Sequence, residues 1–185
     1  THAHVDHMDP WTIGKINQSF QFVSTENAYI SSDVELPSKS IEFIDFNKTL
    51  IINDISIKAI PAAHYQLVGK DGKPDCVSFI INVCGKTLFF WGDGVIYSGL
   101  FDELNKFSFD AFFAPINGRD WFREKKGIIG NINARELAEL CQKIDVELVI
   151  PNHYDLFEYN GEEPQHFKNY FFKFAPQQHY KILSH

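Results

Sequence analysis

Methionine occurs once and cysteine three times in the 185 residues, and Cys76, Cys84 and Cys141 are too widely spaced for any Cys-x-x-Cys pair. An odd, scattered set of thiols supports neither a disulfide framework nor a thiolate metal clip. They read instead as small buried hydrophobes in a reducing compartment. No apolar run approaches the ~18–20 residues that a membrane span needs, and no secretory leader is read. The expectation is therefore a cytoplasmic protein with no membrane partner. Basic residues are also thin: the formal charge is −7, the pI is about 5.5, and no Lys/Arg run exceeds Lys125-Lys126. A nucleic-acid enzyme normally lays a basic stripe along the phosphate backbone, so nucleic acid is not expected as a partner. Neither a Gly-x-Ser-x-Gly elbow nor a P-loop is present to supply a competing chemistry.

What the chain does contain is enough apolar material for one core. Hydrophobic residues make up 44% and charged residues 22%, which argues against disorder and for a single domain over residues 1–185. Eighteen phenylalanines favour a bulky, strand-rich interior. Periodicity predicts a helix from Pro10 to about Ser19, a short strand over Phe20–Val23, and a mixed stretch over Ser24–Ser40. Strands follow at Ile41–Ile44, Thr49–Ile52, Ile55–Pro61, Val77–Val83 and Thr87–Trp91, with turns at Asn53-Asp54 and Cys84-Gly85-Lys86. The rhythm then becomes strand (Phe109–Ala114), helix (Ala134–Ile144), strand (Glu147–Ile150), helix (Gln165–Phe174) and strand (Tyr180–Leu183). Asn133 and Glu136 stand in capping-box register at the start of the first of these helices. Hairpins followed by strand–helix–strand units predict an α/β sheet covered by helices on one side.

The first seven residues, Thr1-His2-Ala3-His4-Val5-Asp6-His7, concentrate metal-binding groups: three imidazoles and a carboxylate with no Lys or Arg among them. Such a set suits zinc, manganese or iron. In an extended segment His2, His4 and Asp6 would share one face. Asp9-Pro10 then reads as a helix N-cap followed by proline at the first helical position. Three further candidates each follow an apolar run: His64 after Ile55–Ala63, Asp93 after Phe89-Phe90-Trp91-Gly92, and His153 after Leu148-Val149-Ile150-Pro151-Asn152. Taken singly, each is an ordinary loop or turn residue; the heptad raises all three together. His166, His179 and His185 have no such context and read as surface residues.

The order His-x-His-x-Asp-His, a later His, a Gly-Asp after a strand and a final His after a strand resembles the motif set of the metallo-β-lactamase fold hydrolases. More narrowly, Pro115-Ile116-Asn117-Gly118-Arg119-Asp120, Gly130-Asn131-Ile132-Asn133 and Pro151-Asn152-His153-Tyr154-Asp155 look like the L-ascorbate-6-phosphate lactonase-like branch. The resemblance implies an αββα four-layer sandwich and two divalent metal ions, Zn or Mn first and Fe next. His2, His4 and His64 would hold the first ion, Asp6, His7 and His153 the second, with Asp93 bridging. It implies a hydrolase that uses a metal-bound hydroxide, with Asp6 and Asp93 as the catalytic carboxylates, opening a phosphorylated sugar lactone such as L-ascorbate 6-phosphate. A phosphodiesterase or nuclease on the same metals is the rival enzyme. A di-iron redox role fits less well, because the flavin-partnered di-iron relatives place a carboxylate where this chain has His4.

A small anionic substrate would need an anchor. Arg119 offers a planar fork for phosphate or carboxylate, and Asn117 and the amides of Gly130 and Asn131 could add donors if they head a helix. Alternatively, Arg119 pairs with Asp120 or a neighbouring acid and only holds its loop. Trp121-Phe122 could wall a pocket or simply pack, and Asp155 could orient a ligand histidine. The resemblance also implies strands before the first histidine. The expectation is an N-terminally incomplete domain with an uncovered apolar sheet face, a binding or assembly fragment as the non-enzyme alternative, and association into a homo-oligomer.

Overall fold

The computed structural model describes residues 1–37, 40–64 and 66–183; His185 lies outside the described residues. Its centre is a mixed seven-stranded sheet in strictly sequential order. The first half is a run of hairpins: β3 (Thr49–Ile52), β4 (Ile55–Pro61), β5 (Val77–Val83) and β6 (Lys86–Phe90), each antiparallel to the next. Asn53 and Cys84 adopt the positive φ that two-residue hairpin turns demand. Helical crossovers then take over, so β6, β7 (Ser108–Pro115), β8 (Asp145–Asn152) and β9 (His179–Tyr180) pair in parallel. Fold class and most of the strands match expectation. One shift concerns the chain's first strands: β1 (Phe22–Ser24) and β2 (Ile41–Phe43) form a separate parallel pair.

One face of the large sheet is covered by helices. Ile80, Phe89, Phe112 and Val149 lie side by side in register across β5 to β8 and are fully buried. They pack against Leu100 and Leu104 of α3 (Leu100–Leu104), Leu137 and Leu140 of α5 (Ala134–Cys141), and Phe167 and Phe171 of α6 (Pro164–Phe174). Phe89 stacks on Phe112 with ring centroids 4.5 Å apart. The other face carries Phe79, Leu88, Phe90 and Phe113, all partly exposed. Phe90 and Phe113 stack in parallel there at 4.2 Å. The small sheet covers only one corner of that face, where Ile44 and Val23 meet Ala59, Val77 and Phe79.

Local signals account for several helix ends. Asp9 caps α1 (Pro10–Gly14) by accepting from the amides of Trp11 and Thr12. The helix stops at Gly14, well short of Ser19, because Ile13 is its one residue with an apolar cluster to pack on. Asn133 and Glu136 form the reciprocal capping box at α5. The short helices α2 (Glu26–Ile30) and α4 (Trp121–Lys125) complete the set. Trp121 and Phe122, 62% and 73% exposed, meet each other edge to face with ring centroids 5.3 Å apart and take no part in the core. Among the described residues no helix is long and apolar enough to cross a membrane.

The register row at the sheet centre should carry most of the stability. Phe112→Ala is expected to lower the free energy of urea unfolding by about 3–5 kcal/mol, the usual cost of emptying a buried phenylalanine site. Phe113→Ala on the open face should cost less than half as much in the same titration.

Candidate metal centre

β4, β6, β7 and β8 all run in one direction, so their carboxyl ends share one edge of the sheet. His64 follows β4, Asp93 follows β6 and His153 follows β8 immediately. The heptad crosses the same edge, tied to β5 by the bond from Val77 N–H to the Thr1 carbonyl. It is a turn and not an extended segment: the amides of His7 and Met8 both donate to the His4 carbonyl, 2.9 Å away. Curling the chain this way turns His7 back toward the other ligands, which an extended strand could not do.

All seven predicted ligand residues come together in two groups. His2, His4, His64 and Asp93 form one, and Asp6, His7 and His153 the other; within each, the ligand atoms lie within 4.8 Å of one another. In the first group His4 Nδ1 is 2.9 Å from His2 Nε2 and 3.3 Å from His64 Nε2. Asp93 reaches both groups. Its Oδ2 lies 3.9 Å from His2 Nε2, 3.7 Å from His64 Nε2 and 3.4 Å from His153 Nε2, while Oδ1 lies 3.3 Å from His7 Nε2. Asp6 Oδ2 faces His153 Nε2 at 3.2 Å and His7 Nε2 at 3.7 Å.

The electrostatics suit cations. Burial pushes His2 down to about 2 and His64 down to about 4, so both are neutral, with lone pairs available, at physiological pH. Burial also opposes charge on Asp93, yet the His153 and His7 rings beside it hold its carboxyl far below the ordinary range. Burial alone would lower His153 as well; the Asp6 and Asp93 carboxylates reverse this and raise it to about 10. His7 Nε2, His153 Nε2 and Asp93 Oδ1 are buried without a hydrogen-bond partner among the described residues. Crowded imidazole nitrogens, orphaned ligand atoms and two buried carboxylates fit divalent ions with N/O preference.

The backbone is bent to make this possible. His153 sits at φ +56°, a left-handed conformation costing on the order of 1–3 kcal/mol in a non-glycine residue. Gly92 has φ +69°, and a Cβ there would fall 2.7 Å from the Thr1 side chain. The Thr1 hydroxyl lies 3.1 Å from His2 Nδ1 and 3.4 Å from His7 Nδ1, orienting one ring of each group. Sequence reasoning missed this role, since a lone threonine beside a histidine run carries no distinguishing signal.

Beside the second group lies a pocket of about 470 Å³ lined by Asp6, His7, Phe90, Asn152, His153, Asp155 and Leu156, with Thr1 and Gly92. Asn117 and Arg119 do not line it. Arg119 spends both guanidinium ends on Glu136, at 2.8 and 2.6 Å, and donates to the Asn131 carbonyl at 3.0 Å. Its partner is thus a helix-capping acid rather than Asp120, which pairs with Arg123. Asn117 is buried, donating to Asn160 and accepting from Asn131. Gly130 and Asn131 do not head a helix; α5 begins at Ala134, and the Asn131 amide donates to the Gly118 carbonyl.

The beta-lactamase superfamily domain model matches residues 1–154. The chain belongs to that family. Among its relatives are UPF0173 metal-dependent hydrolases of Pyrococcus abyssi, 26% identical over 172 residues, and Pyrococcus furiosus, 27% identical over 173. In both cases 91% of this chain and 70% of the relative are covered. The fold is similar to that of Igni18, a metallo hydrolase from Ignicoccus hospitalis, with a TM-score of 0.75 at 19% identity over 100% of this chain and 74% of that one. It is also similar to CmlA, a diiron β-hydroxylase from Streptomyces venezuelae, with a TM-score of 0.72 at 14% identity over 99% of this chain and 42% of that one. At these identities the superfamily likeness to solved structures speaks for the fold alone.

Two measurements follow from this geometry. Elemental analysis of protein loaded with zinc or manganese is expected to give two ions in the wild type, one in His153→Ala, and weakened uptake at both groups in Asp93→Ala; unchanged uptake in Asp93→Ala would contradict the shared carboxylate. The second concerns Glu136, whose carboxyl burial raises but which the Arg119 guanidinium and the Asn133 amide hold below its ordinary value. A depressed folded-state pKa stabilises above the unfolded carboxylate range, ~4.3, and that stabilisation disappears as pH falls through the folded value. Urea midpoints should therefore drop between pH ~5 and ~3 more steeply in the wild type than in Glu136→Gln.

Proposed function

We propose that this chain is a metal-dependent hydrolase that opens an ester or lactone bond of a small substrate. The observation that carries the reading is the division of seven ligand side chains into two groups with the Asp93 carboxylate between them. Two divalent ions, when bound, would supply Lewis acidity and lower the pKa of water toward neutrality. His2, His4 and His64 would hold the first, Asp6, His7 and His153 the second, and Asp93 both.

The remaining work falls to the chain's own side chains. Phe90 and Leu156 line the pocket and would give apolar contact to the body of the substrate. Asp6 lies at the pocket wall with Oδ2 toward His153, so its other carboxylate oxygen is the one placed to take a proton and hand it to a leaving oxygen. Burial of Asp93 and His64 excludes bulk water from the inner side, which strengthens every charge interaction there. The resemblance to the L-ascorbate-6-phosphate lactonase-like branch makes a phosphorylated sugar lactone the first substrate to test. With Arg119 engaged by Glu136, its phosphate would have to be carried by something other than that guanidinium.

The assay compares L-ascorbate 6-phosphate, an unphosphorylated aliphatic lactone and bis-p-nitrophenyl phosphate on protein loaded with Zn²⁺, Mn²⁺ or Fe²⁺. Lactone opening well above metal ions alone is expected, abolished by EDTA and reduced at least ~10³-fold in Asp93→Ala. No turnover of either lactone above free metal would sink the proposal. Faster cleavage of the phosphodiester would move the activity to phosphodiester hydrolysis on the same groups.

A further inference from the structure

We propose that Asn131 is a positioning residue that sets the orientation of the Asp93 carboxylate between the two ligand groups. Asn131 is fully buried and about 40 residues from Asp93 in sequence. Its Oδ1 accepts the Gly94 amide at 2.8 Å, and the Ile132 amide donates to the Gly94 carbonyl at 2.9 Å. Both polar backbone groups of the residue after Asp93 are thus taken by two consecutive residues of another loop. The ladder cannot do this, because β6 ends at Phe90. Gly94 itself is at φ +154°, where a Cβ would press on the Ala63 backbone at 3.3 Å, a shape that glycine adopts freely and that the two bonds fix.

The hold is braced on its far side. Asn131 Nδ2 donates to Asn117 Oδ1 at 2.9 Å, and Asn117 Nδ2 donates to Asn160 Oδ1 at 3.1 Å. Arg123 Nη1 ties Asn160 to the Asn117 carbonyl at 2.9 and 2.8 Å. Asn131 is thereby locked in one amide orientation, acceptor toward Gly94 and donor toward Asn117. Because the Asp93–Gly94 peptide plane is clamped, the Asp93 Cα and the direction of its carboxylate are clamped with it. The Asp93 carboxylate faces ligands of both groups, so a small rotation would loosen both. Asn117 and Asn131, candidates for substrate contact by sequence, act instead behind the site.

The inference rests on reading the two groups as metal sites, and its test reads metal rather than turnover. Stepwise calorimetric titration with Zn²⁺ and the visible spectrum of Co²⁺-loaded protein are measured for wild type, Asn131→Ala, Asn131→Ser, Asn131→Asp and Leu137→Ala. Asn131→Ala should weaken uptake about 10–100-fold, as loss of a partner behind a ligand usually does, and change the Co²⁺ spectrum. Should it not fold, Asn131→Ser carries the test, since it keeps a polar group but falls short of Gly94. Asn131→Asp preserves the acceptor for Gly94 but sets a carboxylate oxygen against Asn117 Oδ1, and flipping Asn117 would set its oxygen against Asn160 Oδ1, so affinity should fall between that of the alanine variant and that of the wild type. Leu137→Ala empties a buried site in α5 and should lower the melting temperature with wild-type affinity and spectrum. Alanine and serine variants that bind as the wild type does would overturn the inference alone, as would an equal loss in Leu137→Ala. A wild type that takes up no ion would overturn the metal reading beneath it as well.

Discussion

One buried carboxylate facing four imidazoles is the constraint around which the rest is arranged. Asp93 sits almost completely out of solvent with His2, His7, His64 and His153 within 4 Å of its oxygens. Removing an ionised carboxylate from water costs several kcal/mol unless positive partners replace the lost hydration. The protein holds it there nonetheless, using backbone that only glycine tolerates on either side and a strained His153 opposite. Local rules of stability are broken most densely at this one place, the pattern expected where a chain trades stability for chemistry.

The sheet makes the meeting possible. Its antiparallel half delivers His64, and its parallel half delivers Asp93 and His153, all at carboxyl ends along one edge. In open α/β sheets that edge is where ligands bind, because loops there are free to carry side chains while the strands beneath stay rigid. The helices on one face supply the rigidity: the buried row from Ile80 to Val149 leaves little freedom for β6 and β8 to slide relative to one another. The opposite face, with Phe90 and Phe113 stacked and partly exposed, runs up to the pocket, so Phe90 serves both the sheet and the pocket wall.

The similar solved structures include a metallo hydrolase and a diiron hydroxylase. One fold can therefore carry unlike reactions, and what separates them lies in the residues set into it. In this chain those residues are a nearly all-imidazole first group, the acids Asp6 and Asp155, and the apolar contacts of Phe90 and Leu156.

The sequence by itself determined which side chains could ligate a metal, most strand positions and the two helix caps at Asp9 and Asn133. Each is a local matter: ligand-type side chains are recognisable one by one, alternation and turn residues act over a few positions, and a cap needs only its own first turn. The tertiary structure alone decided how the heptad curls, which ligands share a group, and what Asn117, Arg119 and Asn131 do. Arg119 illustrates the difference. Its composition and loop suited an anion, but Glu136 already stood at the same place to cap α5, and a bidentate carboxylate seventeen residues away consumed the fork. Likewise nothing near Asn131 in the chain points to Gly94; only the return of a distant loop against the end of β6 brings an amide to that backbone. Contacts of that kind depend on register and loop paths across the whole sheet, which no local pattern encodes.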